Sequence, residues 1–247
     1  MAYTTINKPS LYFNTKTYTG NAGTNAITGV GFKPDLTWIK VRDTTNHHNL
    51  CDIVRGVTKI IYANLNESEY TEATSLTAFG NDGFTLGGNG GVNGSNDEFV
   101  SWNWLAGGSQ GSSNTDGSIN TAYTSVNTTS GFSISFYAGN DTAGATVGHG
   151  LGAVPKMIII KRLSGSAQNW CVYHHKLGNT DAMYLNDTAS SVGSNTFWNN
   201  TTPTSSVFTL GSSSLVNGGG GSDNFIAYSF AEKQGYSKFG SYIGTGN

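Results

Sequence analysis

The stretch HGLGAVPKMIIIKR, His149 to Arg162, has a recognisable copy in TGVGFKPDLTWIKV, Thr28 to Val41. Both read Gly-x-Gly-x-x-Pro, then an apolar run, then Ile-Lys. Pro34 to Pro155 and Lys40 to Lys161 span the same offset, so the two stretches align without a gap and the chain reads as an internal duplication. Each copy describes a turn feeding a buried strand. Glycine supplies backbone angles that a Cβ forbids, and proline fixes φ where no ladder hydrogen bond is needed. The run Met157 to Ile160 is too short to span a membrane and too β-branched to favour a helix.

Working outward, the flanking blocks repeat as well. SLYFNTKTYTGN is answered by GFSISFYAGN, with Phe13 at the place of Phe132 and Tyr18 at that of Tyr137. NLCDIVRG is answered by NWCVYHHKLG, KIIYANLN by DAMYLNDT, and FTLG at Phe84 by FTLG at Phe208. Each copy ends in a glycine-rich loop and an aromatic strand, FVSWNWL or FIAYSFA, whose large side chains alternate with small polar ones as on a strand with one core face. A third echo of the short block, FGSYIGTGN, covers 239–247; it either closes the second unit or begins a third. The low-complexity stretch Gly107 to Thr121 reads as a linker or surface loop, which places the boundary between units at 1–113 and 114–247.

Composition agrees with this pattern. Charged residues make up 11% of the 247 and aromatics 12%, and there are 34 glycines, so helix formers are scarce and turn formers abundant. The fold class expected is all-β: two tandem antiparallel β-sandwiches of jelly-roll type, with almost no helix. NESEYTEA, Asn66 to Ala73, is the best helical candidate, at about two turns. A net charge of −2 with 13 scattered Lys and Arg leaves no basic footprint for nucleic acid and no polybasic patch for anionic lipid. Neither a secretory leader nor a membrane-inserted segment is visible. Cys51 and Cys171 occupy equivalent positions of the two copies, and such positions meet only near an axis relating them. They are expected to be buried free thiols.

The ordered, repeated motifs YTGN, GVGFKPDLTWIKVR, CDIVRG, DGFTLG, VNG and WNWLAGG in the first unit, and FYAGN, VGHGLGAVPKMIIIKR, VYHHKLG, PTSSVFTLG and FIAYSFAE in the second, carry a resemblance across nearly the whole chain. They resemble a repeated β-sandwich domain of virion proteins of tailed phages, especially phages of aquatic bacteria, described as concanavalin A-like or laminin-G-like. The resemblance implies a non-enzymatic structural protein located in the virion: a tail-fibre or adhesive appendage subunit, or alternatively a capsid-decorating or neck protein. Its partners would be other virion subunits and a host surface glycan, and phage appendages lead one to expect a homo-oligomer, a trimer or another ring. It transfers no catalytic residue.

The glycine-rich loops lack Gly-Lys-Ser/Thr, so they do not form a phosphate cradle. Their acidic ends, Asp97-Glu98 and Asp223, lack the ligand spacing of a dedicated calcium loop. Of the five histidines, His47-His48 and His174-His175 are adjacent pairs that a strand points to opposite faces, so no metal or cofactor is expected. Glu67, Glu69, Glu72 and Asp82 form no signature of the paired carboxylates that a polysaccharide depolymerase needs. Trp38, Trp102, Trp104 and Trp170 read as core. Trp198 falls where the second unit is longer, between Asn186 and Phe208, and is flanked by Asn199 and Asn200. Either its indole stacks on a sugar face with the two asparagines as hydrogen-bond partners, or it caps the open end of its own sandwich or an oligomer contact.

Overall fold

The computed structural model describes residues 3–245. The described chain is mostly β, with 36% strand and 5% helix. Its first half runs through β1 (Phe13–Thr19), β2 (Asn25–Thr28), β3 (Leu36–Val41), β4 (Asn49–Asp52), β5 (Lys59–Tyr62), β6 (Tyr70–Thr71), β7 (Leu76–Gly80) and β8 (Gly83–Leu86). The single turn α1 (Gly90–Asn93) and β9 (Glu98–Trp104) complete it. The second half has β10 (Tyr123–Asn127), β11 (Phe132–Ala138), β12 (Thr146–Gly148), β13 (Met157–Arg162), β14 (Cys171–His174), β15 (Asp181–Tyr184) and β16 (Val192–Gly193). It closes with the turn α2 (Asn195–Trp198), β17 (Val207–Thr209) and β18 (Asn224–Phe230). All pairings between these strands are antiparallel.

Two large sheets have orders β1-β9-β3-β4-β5-β6 and β10-β11-β18-β13-β14-β15-β16, and two small ones have orders β2-β8-β7 and β12-β17. The large sheets therefore share one connectivity, with one difference: β10 lies outside β11, whereas the first sheet ends at β1. Pro34 and Pro155 each stand two residues ahead of the strand paired with the aromatic strand, β3 with β9 and β13 with β18.

The sheets stack in four layers held by three apolar clusters. Ile27, Phe84 and Leu86 of one small sheet pack on Ile39, Cys51, Ile60 and Phe99 of its large sheet. Val147 and Phe208 of the other pack on Tyr137, Ile158, Ile160 and Phe225. The third cluster joins the two large sheets, with Leu36, Leu50 and Ile61 against Ile134, Ile159, Trp170 and Tyr228. Both faces of each large sheet are thus covered, which is why Met157 to Ile160 is a continuous apolar run rather than an alternating one.

Polar contacts cross the same seam. Trp170 Nε1 donates to the Tyr62 carbonyl at 2.9 Å, and Tyr228 Oη donates to Asp52 at 2.7 Å. Asp52 also pairs with the buried Arg55, which reaches Glu69 at 3.2 Å. Lys161 is buried with its Nζ donating to the carbonyls of Asn66, Arg162 and Gln168. Burial pushes its amine down to about 8.

The motif pairs have a mechanical explanation. Tyr18 Oη donates to the Val92 carbonyl and Tyr137 Oη to the Val216 carbonyl, each at 2.7 Å. The buried Asn93 accepts from Asn21 N–H, and the buried Asn217 accepts from Asn140 N–H. Tyr-x-Gly-Asn and Val-Asn-Gly are therefore two halves of one clamp, which holds a strand end to a distant loop. Only glycine fits inside it: a Cβ on Gly20 would lie 2.0 Å from the Gly94 oxygen, and one on Gly139 would lie 2.4 Å from the Gly218 oxygen.

Several expectations are corrected. Asn66 to Ala73 is not helical: it is irregular chain leading into β6, with Glu69 N–H donating to the Leu163 carbonyl. Gly107 to Thr121 does form a mostly exposed loop without a named strand, as expected; it is held at its start by Asp35, whose Oδ2 accepts from Ala106 and Gly108 N–H, and further on by the buried Ile119 and Thr121. The loop containing Gly90 and Gly91 is ordered into α1, capped by Asn89 Oδ1 accepting from Gly91 N–H. On β9, the small polar Ser101 and Asn103 are fully buried together with Phe99, while Trp102 and Trp104 are half-buried. Within 239–245 no strand forms, and residues 246–247 of that block lie outside the described residues.

Candidate functional site: an aromatic cleft between the sheets

Trp198 is buried, with 1% of its surface exposed. Its Nε1 donates to the Asp181 carbonyl at 3.0 Å, and its ring stands edge-on to Tyr173 with centroids 5.6 Å apart. The reason is local. Ser194 caps α2 by accepting from Thr196 N–H, and Asn199 ends the turn in the left-handed region, its N–H donating to the Asn195 carbonyl. One helical turn then drives Phe197 and Trp198 inward onto the apolar cluster. Asn200 stays exposed, but the Asn179 amide occupies its carbonyl at 2.9 Å, and beside it no indole face is free for a sugar. This expectation for Trp198, Asn199 and Asn200 is withdrawn.

The concavity the fold does build lies at the open end of the seam between the large sheets, with a volume of about 310 Å³. Phe13 and Phe132, the equivalent residues of the two short blocks, both line it, and so does Phe239, which opens the third echo. A chain of rings runs across it. Centroids are 4.8 Å apart for Phe13–Trp104, 6.4 Å for Trp104–Phe132, 4.8 Å for Phe132–Phe230 and 6.1 Å for Phe230–Phe239. Beside it lies a shallower depression of about 260 Å³ formed by Trp38, Trp102, Trp104 and His48.

Strand alternation explains the convergence. Leu36, Trp38, Trp102 and Trp104 project from one face of β3 and β9, and Met157, Ile159, Tyr228 and Phe230 from the facing side of β13 and β18. Leu50, Ile61 and Trp170 belong to the cluster between the two sheets, and Leu50 and Trp170 also border the cleft, where Phe13, Trp104 and Phe230 stay only partly covered.

The chemistry of the lining is narrow. No Asp, Glu, His, Lys, Arg or Cys borders the larger cleft, and its polar side-chain groups are Ser130, Ser237, two tyrosine hydroxyls and the indole N–H groups of Trp38, Trp104 and Trp170. One of these, Tyr228 Oη, already donates to Asp52. In the depression, His48 Nδ1 accepts from Trp38 Nε1 at 3.0 Å, and burial with Lys40 nearby holds its imidazole below the usual range, hence neutral. Such a surface receives apolar or aromatic groups and offers them few directional partners.

The other residues weighed in the sequence stand apart. His149 lies buried against the Thr204 carbonyl, and His175 bonds the Phe239 carbonyl at 2.9 Å. Asp223 is paired with Arg162. Asp82 accepts from Gly29 and Gly31 N–H and so closes the Gly-x-Gly turn. Among the described residues no three His, Cys, Asp or Glu side chains come together as metal ligands. The sequence does not show the cleft, because each tryptophan reads singly as core; the available signal is that Phe13, Trp38, Trp102, Trp104, Phe132 and Phe230 share one strand parity across five strands.

A family model described as a domain of unknown function (DUF7483) matches residues 8–247. The chain belongs to this family. The matched span includes both halves and the segment after Phe239, so the DUF7483 domain takes in all four layers and the whole cleft. Comparison with curated proteins and with solved structures finds no match.

Proposed function

We propose that this DUF7483 chain is a non-enzymatic structural component of a tailed-phage virion, a tail-fibre or other adhesive appendage subunit, and that the aromatic cleft is its contact surface. The sequence motifs support the virion reading. The observation that carries the non-enzymatic part is the cleft lining: aromatic rings and hydroxyls, with no ionisable acid, base or thiol nucleophile beside them. Partly covered aromatic rings are the side chains that dominate binding energy at protein interfaces, so the cleft suits apolar side chains of a neighbouring subunit better than a polysaccharide. A capsid-decorating or neck role uses the same surface and differs only in where the subunit sits.

In this reading the two halves, 1–113 and 114–247, are duplicated jelly-roll-like sandwiches. Shared connectivity of the large sheets, the paired Tyr-x-Gly-Asn clamps and the matched prolines support it. The test is to locate the chain by labelled antibody on purified particles and to compare particle incorporation of the parent with Trp104→Ser. Label at the distal tail supports adhesion, and label over the capsid supports decoration. Absence from particles ends the reading, and undiminished incorporation of a folded Trp104→Ser protein removes the cleft from it.

A further inference from the structure

Three segments of the chain share one spacing, Phe-x6-Gly-Asn: Phe13 to Asn21, Phe132 to Asn140 and Phe239 to Asn247. The first two build β1 and β11, each paired along its length with the aromatic strand of its sheet, with Phe13 opposite Trp104 and Phe132 opposite Phe230. The third has no strand partner within 239–245, although its Ser-Tyr-Ile core is built of strand formers. Its Tyr242 and Ile243 are each 94% exposed. The family match includes this segment, so it belongs to the domain.

The same molecule has an open strand position. In the second large sheet β10 covers the outer edge of β11; in the first, β1 is the edge. The segment answering β10, Tyr-Thr-Thr-Ile-Asn at 3–7 against Tyr-Thr-Ser-Val-Asn at 123–127, lies elsewhere, with Thr4 packed beside Gly235 and Ile6 buried. Of the four edges of the large sheets, β6 and β16 are two residues long and β10 is five; β1 has seven. Its backbone direction follows from the ladder. Leu105 N–H donates to the Tyr12 carbonyl and Gly20 N–H to the Asp97 carbonyl, so the even residues Asn14, Lys16 and Tyr18 turn their backbone groups toward β9. Thr15, Thr17 and Thr19 turn theirs outward and are exposed; the Thr15 N–H donates to Asn14 Oδ1 at 3.0 Å and the Thr19 carbonyl accepts from the Asn25 amide at 3.2 Å, so the free groups of this edge centre on Thr17. Lys16 is the single charge on this edge, a weak guard against pairing.

We propose that residues 240–245 of one copy add to the β1 edge of a second copy as its seventh strand, so that the chain self-associates by exchanging C-terminal strands. Pairing within one chain is disfavoured by direction. The segment leaves from Phe239, which lines the cleft together with Phe13, the first residue of β1, so in its own chain it would run parallel to β1. All other pairings between strands here are antiparallel, and a second copy can present the segment in that sense. The proposal rests on the sheet edge and is independent of what fills the cleft.

Sedimentation of the full chain over a concentration series, compared with a variant ending at Phe239 and with Thr17→Pro, tests it. Proline there removes an outward N–H and spares the β9 ladder. The full chain should associate, and both variants should remain monomeric with an unchanged β-sheet circular dichroism spectrum. A peptide of residues 237–247 should bind the shortened variant and lose more than about tenfold in affinity when Thr17→Pro is added. If Thr17→Pro unfolds, Thr17→Cys with Ile243→Cys replaces it: oxidation should give covalently linked chains. A full chain that stays monomeric, association that survives removal of 240–247, or a disulfide formed only within one chain overturns the proposal.

Discussion

Asp35 shows what one buried carboxyl does to the molecule. One oxygen accepts two backbone N–H groups from the segment joining the halves, while Oδ1 is buried without a partner. Burial dominates these hydrogen bonds and raises the group from 3.8 to about 6. Between those values the folded state holds a proton that the unfolded chain has released, so this group's contribution is complete below about pH 4 and is lost as pH rises through 6. In chemical denaturation of the parent and Asp35→Asn, the stability difference should therefore shift toward the variant by on the order of 2 to 3 kcal/mol between pH 4 and pH 7. A pH-independent difference would remove Asp35 as the cause. Trp198 makes a second prediction at this scale: with its ring inside the core, Trp198→Ala should lower stability by about 3 to 5 kcal/mol in denaturant titration.

At the scale of elements, the clamps between Tyr-x-Gly-Asn and Val-Asn-Gly fix where β1 and β11 end. Asn217→Leu removes the amide that donates to the Thr142 and Gly211 carbonyls and the oxygen that accepts from Asn140, leaving buried groups unmatched. It should destabilise by about 3 kcal/mol, read as a lower denaturation midpoint with unchanged m-value. These motifs were legible in the sequence as repeats, as were the strands at Leu36 and Met157, because glycine, proline and β-branched residues carry local preferences. Burial was legible where a strand is apolar on both sides. It was not legible for β9, where Ser101 and Asn103 are fully buried and Trp102 and Trp104 only half-buried, because that depends on which other layer stands opposite. Trp198 failed for a related reason. Ser194 and Asn199 are the cap signals of a short turn, but a single turn has too little periodicity to show which way its rings point.

For the whole molecule the shared middle layer outweighs the boundary between halves. Leu36, Leu50, Ile134, Ile159, Trp170 and Tyr228 would all lose cover if the halves parted, and Asp52 and Arg55 would lose Tyr228 and the packing around it. The chain should therefore unfold in one calorimetric transition, with van't Hoff and measured enthalpies equal. Residues 1–113 and 114–247 expressed apart should be insoluble or molten, and soluble together. Two separate transitions, or a well-folded 1–113, would show that each half is self-sufficient and that the seam is only a contact.

Cys51 and Cys171 are both free and buried, one in each outer cluster. Burial pushes the Cys51 thiol up to about 12 and raises Cys171 as well, so neither reacts while its layer is closed. The chain thereby carries two native clocks. The rate at which a thiol reagent modifies each sulfur measures how often the layer above it opens, and the ratio of the two rates compares the halves within a single molecule, without a label being introduced.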